Sequence, residues 1–281
     1  MMIDKIVRPS PIAGTWYSAN PQQLKRAVDS YINEADLPKL PGEVIGVVAP
    51  HAGYRYSGAV AGHAFKSVKG KSFDLVVVVS PLHQYHPHPI LTSAHSAYRT
   101  PLGDIPIAEE QLEKIDKTLQ ERIRVGMTPI ANDQEHSLEI ELPFLQCALA
   151  NDFKLIPIML RDQTRRTARI LGKALADCLK DESVLLVASS DLSHFYPEAV
   201  ANQLDNKVLS TLAEFSPEGL FDLKDAGEGH ACGLSAIATV LWCTQEIGGN
   251  GVTLLKYDTS ASSTGDSSSV VGYGAAAITR S

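Results

Sequence analysis

Short apolar runs rich in β-branched residues alternate along this chain with longer segments of helical period. The runs "DLVVVVS" and "SVLLVAS" are apolar almost throughout, which is typical of strands covered by helices on both faces of a sheet. This alternation predicts an α/β fold with a central, mostly parallel or mixed sheet flanked by helices. The predicted strands are Val44–Ala49, Leu75–Ser80, Leu155–Leu160, Val184–Ala188, Val252–Tyr257 and Val270–Ala277.

Helical periodicity fills most of the intervals between these strands. Asn20 and Pro21 mark the start of the first helix, because Asn caps helices well and Pro is favoured at the first helical position. The predicted helices are Pro21–Glu34, Ser57–Val68, Ala108–Leu119, Asp133–Leu149, Thr164–Lys180, Pro197–Glu214 and Cys232–Glu246. The stretch "TSASSTGDSSS" at 259–269 predicts a surface loop. No linker-like stretch divides the chain, so we predict one domain over residues 1–281.

Charge and composition exclude several classes of function. The formal net charge is −7, and no basic stripe is interleaved with aromatic residues, so we expect neither nucleic acid nor a membrane as a partner. No run of eighteen apolar residues occurs, and the start "MMIDKIVRPSPIAG" lacks a long apolar core, which predicts a soluble, cytoplasmic protein. No GxGxxG, P-loop, GxSxG or HExxH motif is present, so we expect no nucleotide cofactor.

Histidines follow the predicted carboxyl ends of two strands. His51 follows Val44–Ala49 and His83 follows Leu75–Ser80, each after a proline-containing turn that stiffens the backbone. Ligands bind beyond the carboxyl ends of strands in open α/β sheets. Imidazole is a good ligand for iron, copper, zinc and nickel.

A third strand end carries the same kind of residue. Asp191 and His194 follow Val184–Ala188 in "SSDLSHF", so three separate segments predict one shared site. His86 and His88 come soon after His83. They are alternative ligands, although a solvated loop is the simpler interpretation for both.

Cys232 precedes an apolar helix in "GEGHACGLSAIATVLW". A helix N-terminus lowers the pKa of a thiol, so this position predicts a thiolate that serves as a nucleophile or a metal ligand. In "NDQEHSLEIELPFL", His136 and Glu139 are spaced to share one face of a helix. That pair fits an acid–base pair or two ligands, and it fits equally well an ordinary ion pair on a capped surface helix. The remaining cysteines, which are expected to be buried and inert, are Cys147, Cys178 and Cys243.

Several motifs in order resemble one known family. The segments "RPSPIAGTWYSANPQQL", "APHAGYRYSG", "EHSLEIELPF" and "SSDLSHF", with "CG" before a helix, are similar to the Memo family (mediator of cell motility and its prokaryotic relatives) from about Arg8 to Ala277. The resemblance implies the fold of class III extradiol dioxygenases, which hold Fe(II) with two histidines and a glutamate. In Memo-like proteins the corresponding pocket carries two histidines and a cysteine, which match His51, His83 and Cys232.

The resemblance also implies roles for the residues around that pocket. Asp191, His194 and His136 match catalytic positions, and Trp16 and Tyr54 match aromatic residues at the pocket rim. Family members are associated with binding of phosphotyrosine peptides, with copper or iron redox chemistry, and with a neighbouring radical-SAM protein. Two segments depart from the pattern: "HACGLSAI" lacks the usual small residue and proline after the cysteine, and "SPLHQYHPHP" offers alternative histidines.

Three hypotheses follow. The leading one is a redox enzyme that uses Fe(II) or copper on a small molecule, because a thiolate beside two imidazoles favours copper, zinc or thiolate-tolerant iron. The second is a binding module for an anionic or phosphorylated ligand. The third is a hydrolase or transferase in which Cys232 attacks and His194 or His51 acts as the base.

Overall fold

The strands and helices alternate as the sequence predicts in the computed structural model, which describes residues 6–281. The strands are β1 (Val7–Arg8), β2 (Glu43–Ala49), β3 (Leu75–Pro81), β4 (Ile90–Ser93), β5 (Ala97–Thr100), β6 (Gly103–Pro106), β7 (Thr128–Ile130), β8 (Lys154–Leu160), β9 (Val184–Ser189), β10 (His194–Tyr196), β11 (Gly251–Thr259) and β12 (Val270–Arg280). The helices are α1 (Pro21–Glu34), α2 (Tyr54–Lys66), α3 (Glu109–Ile123), α4 (Leu142–Ala148), α5 (Arg165–Leu179), α6 (Glu198–Ala213), α7 (Pro217–Asp225), α8 (Leu234–Glu246) and α9 (Ala261–Thr264). A 3₁₀ turn covers Glu139–Glu141.

The main sheet is mixed, and its centre is parallel. Its strand order is β10-β12-β2-β9-β3-β8-β4-β7, and β11 pairs with β12. The strands β2, β9, β3 and β8 run parallel to one another, whereas β12 and β4 flank them in antiparallel pairs. A second, small sheet has the order β1-β5-β6. The predicted α/β fold with a mixed sheet flanked by helices is therefore confirmed.

The centre of the sheet is covered on both faces. Every residue of β3 is buried, although the side chains of a strand point alternately to its two faces. Helix α8 packs against β2, β3 and β9, and α2 packs against β2 and β12. This explains why the central strands are uninterrupted apolar runs rather than alternating ones.

The register brings the strand ends together. Ala49 of β2 pairs with Ser189 of β9, and Val79 of β3 pairs with Ala188. The segments that leave β2, β3 and β9 therefore begin side by side at one edge of the sheet. All six predicted strands are confirmed to within a few residues.

Helix α1 begins and ends where the sequence predicts, with the Asn20 side chain accepting a hydrogen bond from the Gln23 amide. It packs closely against α2, because Gly62 has no side chain: a Cβ there would lie 2.4 Å from the backbone oxygen of Tyr31.

Among the described residues, no helix combines the length and apolar character needed to cross a membrane.

The prediction of one helix over Asp133–Leu149 is wrong. The chain is irregular up to Leu138, makes the 3₁₀ turn, and becomes α-helical only at Leu142, where Pro143 suits the first turn. The side chains of Asp133 and Glu135 accept hydrogen bonds that hold this irregular segment in place. The site depends on this departure from helical structure.

Other differences from the predicted elements are smaller. Helix α8 begins at Leu234 and not at Cys232, and the predicted loop at 259–269 contains the short helix α9. Helix α7 and the short strands β1, β4, β5, β6, β7 and β10 were not predicted from the sequence.

Candidate metal centre

A cavity of about 590 Å³ lies where β2, β3 and β9 end. The residues that line it are Thr15, Trp16, His51, Ala52, Gly53, Tyr56, His83, His136, Asp191, His194, Phe195, Ser260, Thr264, Ser269, Val271 and Tyr273. The prediction that the segments after three strands share one site agrees with this placement, since His51, His83, Asp191 and His194 all face the same cavity. His136 joins them from the irregular segment before α4.

Three imidazoles converge in this cavity. One ring nitrogen from each of His51, His83 and His136 lies within 4.8 Å of the other two. The ring centroids of His83 and His136 are 4.8 Å apart and nearly parallel, and His51 stands edge-on to both. This group, hereafter the three-histidine cluster, could hold a transition-metal ion, for which imidazole is a common ligand.

His51 is fixed by its two hydrogen bonds to the neighbouring strand end. Its backbone N–H donates to Asp191 Oδ1 at 2.8 Å, and its ring Nδ1 lies 2.9 Å from Ser189 Oγ. The ring is buried, and burial together with the neighbouring His136 and His83 rings lowers its pKa well below the usual value. A neutral imidazole with Nδ1 occupied offers Nε2 to a ligand.

Glu135 orients His83. Its Oε1 lies 2.9 Å from His83 Nδ1, and its Oε2 accepts from the His83 backbone N–H at 2.6 Å. Oε1 also accepts from the amides of His136 and Ser137. Burial alone would raise the pKa of Glu135, but these hydrogen bonds and the His83 ring outweigh it and hold the pKa well below its usual range. A carboxylate behind a ligating histidine is the arrangement that commonly orients metal ligands in proteins.

Arg8 holds the segment that carries Glu135 and His136. Its guanidinium binds both carboxylate oxygens of Asp133, the carboxylate of Glu139 and the backbone oxygen of Glu135. The side chain of Arg8 is 1% exposed, so this buried cation is paired on several sides, as a buried charge requires.

His136 is the third member of the cluster. Its ring stacks on Trp16 with centroids 4.1 Å apart. Burial lowers its pKa to about 4, against the opposing charge of Glu135. The predicted pairing with Glu139 on one helix face is wrong, because Glu139 instead accepts hydrogen bonds from Tyr17 and Arg8.

Asp191 and His194 supply titratable groups beside the cluster. Burial raises the pKa of Asp191 to about 7, although the backbone amides of His51 and Ala52 oppose the shift. Burial also lowers the pKa of His194, whose Nδ1 is buried without a hydrogen-bond partner. Phe195 follows with φ of 65°, a conformation uncommon for a bulky residue, and its exposed ring lines the cavity.

Cys232 lies beside the cluster and not within it. Its Sγ is 3.1 Å from His51 Nε2 and accepts from the Asp191 amide at 3.3 Å, but the thiol does not line the cavity. Gly233 lets this segment approach β9, because a Cβ there would lie 2.3 Å from the Ser189 backbone oxygen. Burial and the charge of Asp191 raise the pKa of the thiol. The expectation of a lowered thiol pKa is therefore wrong, since the helix begins only at Leu234.

Only one of the two aromatic residues expected at the rim of the pocket lines the cavity. Trp16 lines the cavity as predicted, whereas Tyr54 is buried and its hydroxyl donates to the backbone oxygen of Ile140 at 2.8 Å. Tyr56 occupies the cavity wall instead. His86 and His88 lie in an exposed segment, outside the three-histidine cluster.

Sequence reasoning missed the residues that hold the histidines. Glu135 is the first residue of "EHSLEIELPF" and Ser189 is the first residue of "SSDLSHF", so both lie within recognised motifs. Arg8 opens "RPSPIAGTWYSANPQQL" and Glu141 also lies in "EHSLEIELPF". The local sequence did not reveal their roles, because their partners are distant in sequence.

Comparisons with known proteins match this chain to one family along almost its whole length. A family model described as "Memo-like protein" matches residues 8–277. A MEMO1 family protein of Nitrosopumilus maritimus is 31% identical over 96% of this chain and 98% of its own length. Similar proteins of Pyrobaculum aerophilum and Methanopyrus kandleri, also called MEMO1 family proteins, are 33% and 32% identical over 95% and 97% of this chain, and 97% and 99% of their own lengths.

Proposed function

Since the chain belongs to the Memo-like protein family, we propose that it is a redox enzyme that binds iron or copper in the three-histidine cluster and acts on a small molecule. The observation that carries this proposal is the convergence of three ring nitrogens within 4.8 Å in the lining of one cavity. Three protein ligands leave positions open for substrate, as catalytic metal sites require.

The chemistry of the donor set fits such an ion. Burial lowers the pKa of both His51 and His136, so both rings are neutral near pH 7, as metal binding requires. His83 is held by Glu135 in the way that metal ligands commonly are. Glu135 also raises the pKa of His83 against the effect of burial, so an ion competes with a proton at this ring. Iron or copper bound there would supply electron-transfer and oxygen chemistry.

The residues around the cluster bind and transfer protons. Asp191 faces the cavity with a pKa of about 7, so protonated and ionised forms coexist near neutrality, which suits a general acid or base. His194 faces the same cavity with a lowered pKa and acts as a neutral proton acceptor. Asp191 also fixes the backbone of His51, so proton transfer and ligand placement share one side chain.

The cavity favours a small molecule with a flat apolar face. Its volume is within the range of small-molecule sites, and Trp16, Tyr56, Phe195 and Tyr273 form much of its wall. Among the described residues that line it, none is lysine or arginine, so the cavity lacks the usual side chains for binding a phosphate group. This weighs against the phosphorylated-ligand hypothesis.

The nucleophilic-cysteine hypothesis also loses support. Cys232 does pair with His51 at 3.1 Å, which is the spacing of an activated nucleophile. However, its thiol does not line the cavity, and burial raises its pKa, whereas reactive cysteines are accessible and have lowered pKa values.

Metal content tests the proposal. Protein purified without oxygen is expected to contain about one iron or copper ion per chain by inductively coupled plasma mass spectrometry. His136→Asn should lose most of that metal, whereas His194→Asn, which changes a cavity histidine outside the cluster, should keep it. Wild-type protein that stays empty after anaerobic reconstitution with either metal would refute the proposal.

The same measurement distinguishes the two candidate ligand sets. The geometry favours His136 as the third ligand, whereas the resemblance implies Cys232. Loss of metal in Cys232→Ser, with retention in His136→Asn, would assign the third position to the thiol. Loss in His136→Asn alone would assign it to the imidazole.

A further inference from the structure

Ser189, the last residue of β9, makes three short contacts through a single hydroxyl. Its Oγ lies 2.9 Å from His51 Nδ1, 2.6 Å from the backbone oxygen of Ser137 and 2.6 Å from Glu141 Oε1. All four groups are buried, so each short contact between polar atoms needs a proton.

Counting protons determines the direction of each hydrogen bond. The Ser137 carbonyl carries no proton and only accepts. The hydroxyl of Ser189 has one proton, which it must donate to this carbonyl. Without a proton between them, two oxygen atoms 2.6 Å apart would repel each other. The contacts with His51 and Glu141 then need one proton each, and only His51 Nδ1 and the Glu141 carboxyl group remain to supply them.

We infer that Glu141 is a neutral carboxylic acid that donates to Ser189 and, through that hydroxyl, locks His51 in the tautomer with hydrogen on Nδ1. His51 Nε2 is then the unprotonated ring nitrogen, which can accept from the Cys232 thiol 3.1 Å away in the metal-free protein and can bind an ion in its place. Glu141 is a positioning residue that acts two hydrogen bonds behind the cluster. Its effect on metal binding rests on the proposed function, whereas its protonation and the tautomer of His51 do not.

The surroundings of Glu141 agree with a neutral acid. Burial raises its pKa well above the usual value, and so does the charge of Asp191, against the hydrogen bond with Ser189. Its Oε2 is buried without a partner, which a carbonyl oxygen tolerates better than a charged carboxylate oxygen.

Two neighbouring glutamates show the contrast. Glu135 accepts from three backbone amides and faces His83, and Glu139 is paired with Arg8. Glu141 has neither a cation nor a backbone amide as a partner among the hydrogen bonds of the described residues. Three acidic side chains within seven positions therefore have three different environments.

Infrared difference spectroscopy of the metal-free protein tests the protonation. Wild type minus Glu141→Gln should show the carbonyl stretch of a protonated carboxylic acid at neutral pH. The spectrum of Glu110→Gln, which changes an exposed glutamate of α3, should show only loss of a carboxylate band. A Glu141→Gln spectrum with the same carboxylate loss and no carboxylic-acid band would overturn the inference.

The tautomer is measured on the wild-type chain, so this test does not depend on whether a variant folds. Nitrogen-15 NMR of metal-free protein should show a protonated Nδ1 and an unprotonated Nε2 for His51, whose signals are identified by their absence in His51→Gln. The reversed pattern, with hydrogen on Nε2, would overturn the inference whether or not the protein binds metal.

Metal affinity tests the consequence. Glu141→Gln keeps a donor in reach of Ser189 and should retain wild-type affinity for the ion that the wild type binds, whereas Glu141→Met has no donor and should bind about tenfold or more weakly. Equal affinities of the two variants would refute the positioning role. A wild type that binds neither iron nor copper would refute the proposed function and leave the spectroscopic tests decisive for Glu141.

Discussion

Glu135→Gln tests how strongly one buried carboxylate holds the site. Glu135 is 2% exposed, and its two oxygens face four N–H groups, from the ring and backbone of His83 and from the amides of His136 and Ser137. Glutamine has nearly the same shape, but one of its two positions is an NH₂ group. Whichever way the amide turns, it places a donor against at least one N–H group.

The expected cost follows from these contacts. A buried donor left without an acceptor costs about 1–3 kcal/mol, and hydrogen bonds to a charged group exceed those to a neutral one by about 1 kcal/mol each. If Nε2 replaces Oε2, the His83 amide loses its acceptor and three bonds to Oε1 lose the charge. We therefore expect the free energy of unfolding to fall by about 4–6 kcal/mol.

Urea denaturation of metal-free protein at pH 7.5 measures this change. Glu110→Gln is the matched control, because it makes the same substitution at an exposed position of α3 and should alter stability by less than about 0.5 kcal/mol. A loss below about 1 kcal/mol for Glu135→Gln would refute the reasoning, since the buried N–H groups would then have found other acceptors.

Two further predictions concern pH and helix packing. The pKa of His136 is lowered to about 4 by burial, against about 6.5 in the unfolded chain, so its contribution to stability is present above pH 6.5 and is lost as the pH falls towards 4. In urea titrations, the free energy of unfolding of the metal-free wild type should fall by about 2 kcal/mol more than that of His136→Asn between pH 7.5 and pH 5. An equal fall of the free energy of unfolding in the two proteins would contradict this. Gly62→Ala should lower stability by about 1–3 kcal/mol in the same assay, because the new Cβ would lie 2.4 Å from the Tyr31 backbone oxygen. An unchanged or raised midpoint would show that α1 and α2 can separate at little cost.

The positions of four cavity residues could largely be predicted from the sequence: His51, His83, Asp191 and His194. Uninterrupted apolar runs predict parallel strands, and the carboxyl ends of parallel strands meet at one edge. Residues directly after such strands therefore lie together in the structure. This inference needs only the order of the segments and no knowledge of side-chain contacts.

The segment around His136 shows why the rest was not predictable. Its spacing of apolar residues fits a helix, but Arg8, 125 residues before Asp133, holds the chain in an irregular form. Buried hydrogen bonds to a distant residue overrode the local preference. No pattern within the segment records that partner.

The two tyrosines of "YRYSG" show a different limit. The predicted helix begins at Ser57, whereas α2 begins at Tyr54, so both tyrosines lie on its first turn. Residues at positions i and i+2 of a helix, such as Tyr54 and Tyr56, are about 200° apart around its axis. Tyr54 therefore faces the core and Tyr56 the cavity, and the sequence did not determine which.

The parallel arrangement of β2, β9 and β3 also has a consequence for folding. His51 depends on Ser189 and Asp191, about 140 positions later in the chain, and such distant contacts form slowly because the long intervening loop must close first. Because β9 lies between β2 and β3, we expect His51 to reach its final position only after β9 has joined the sheet. We therefore expect an ion to bind to the cluster after the chain has folded and to stabilise the folded state, rather than to initiate folding.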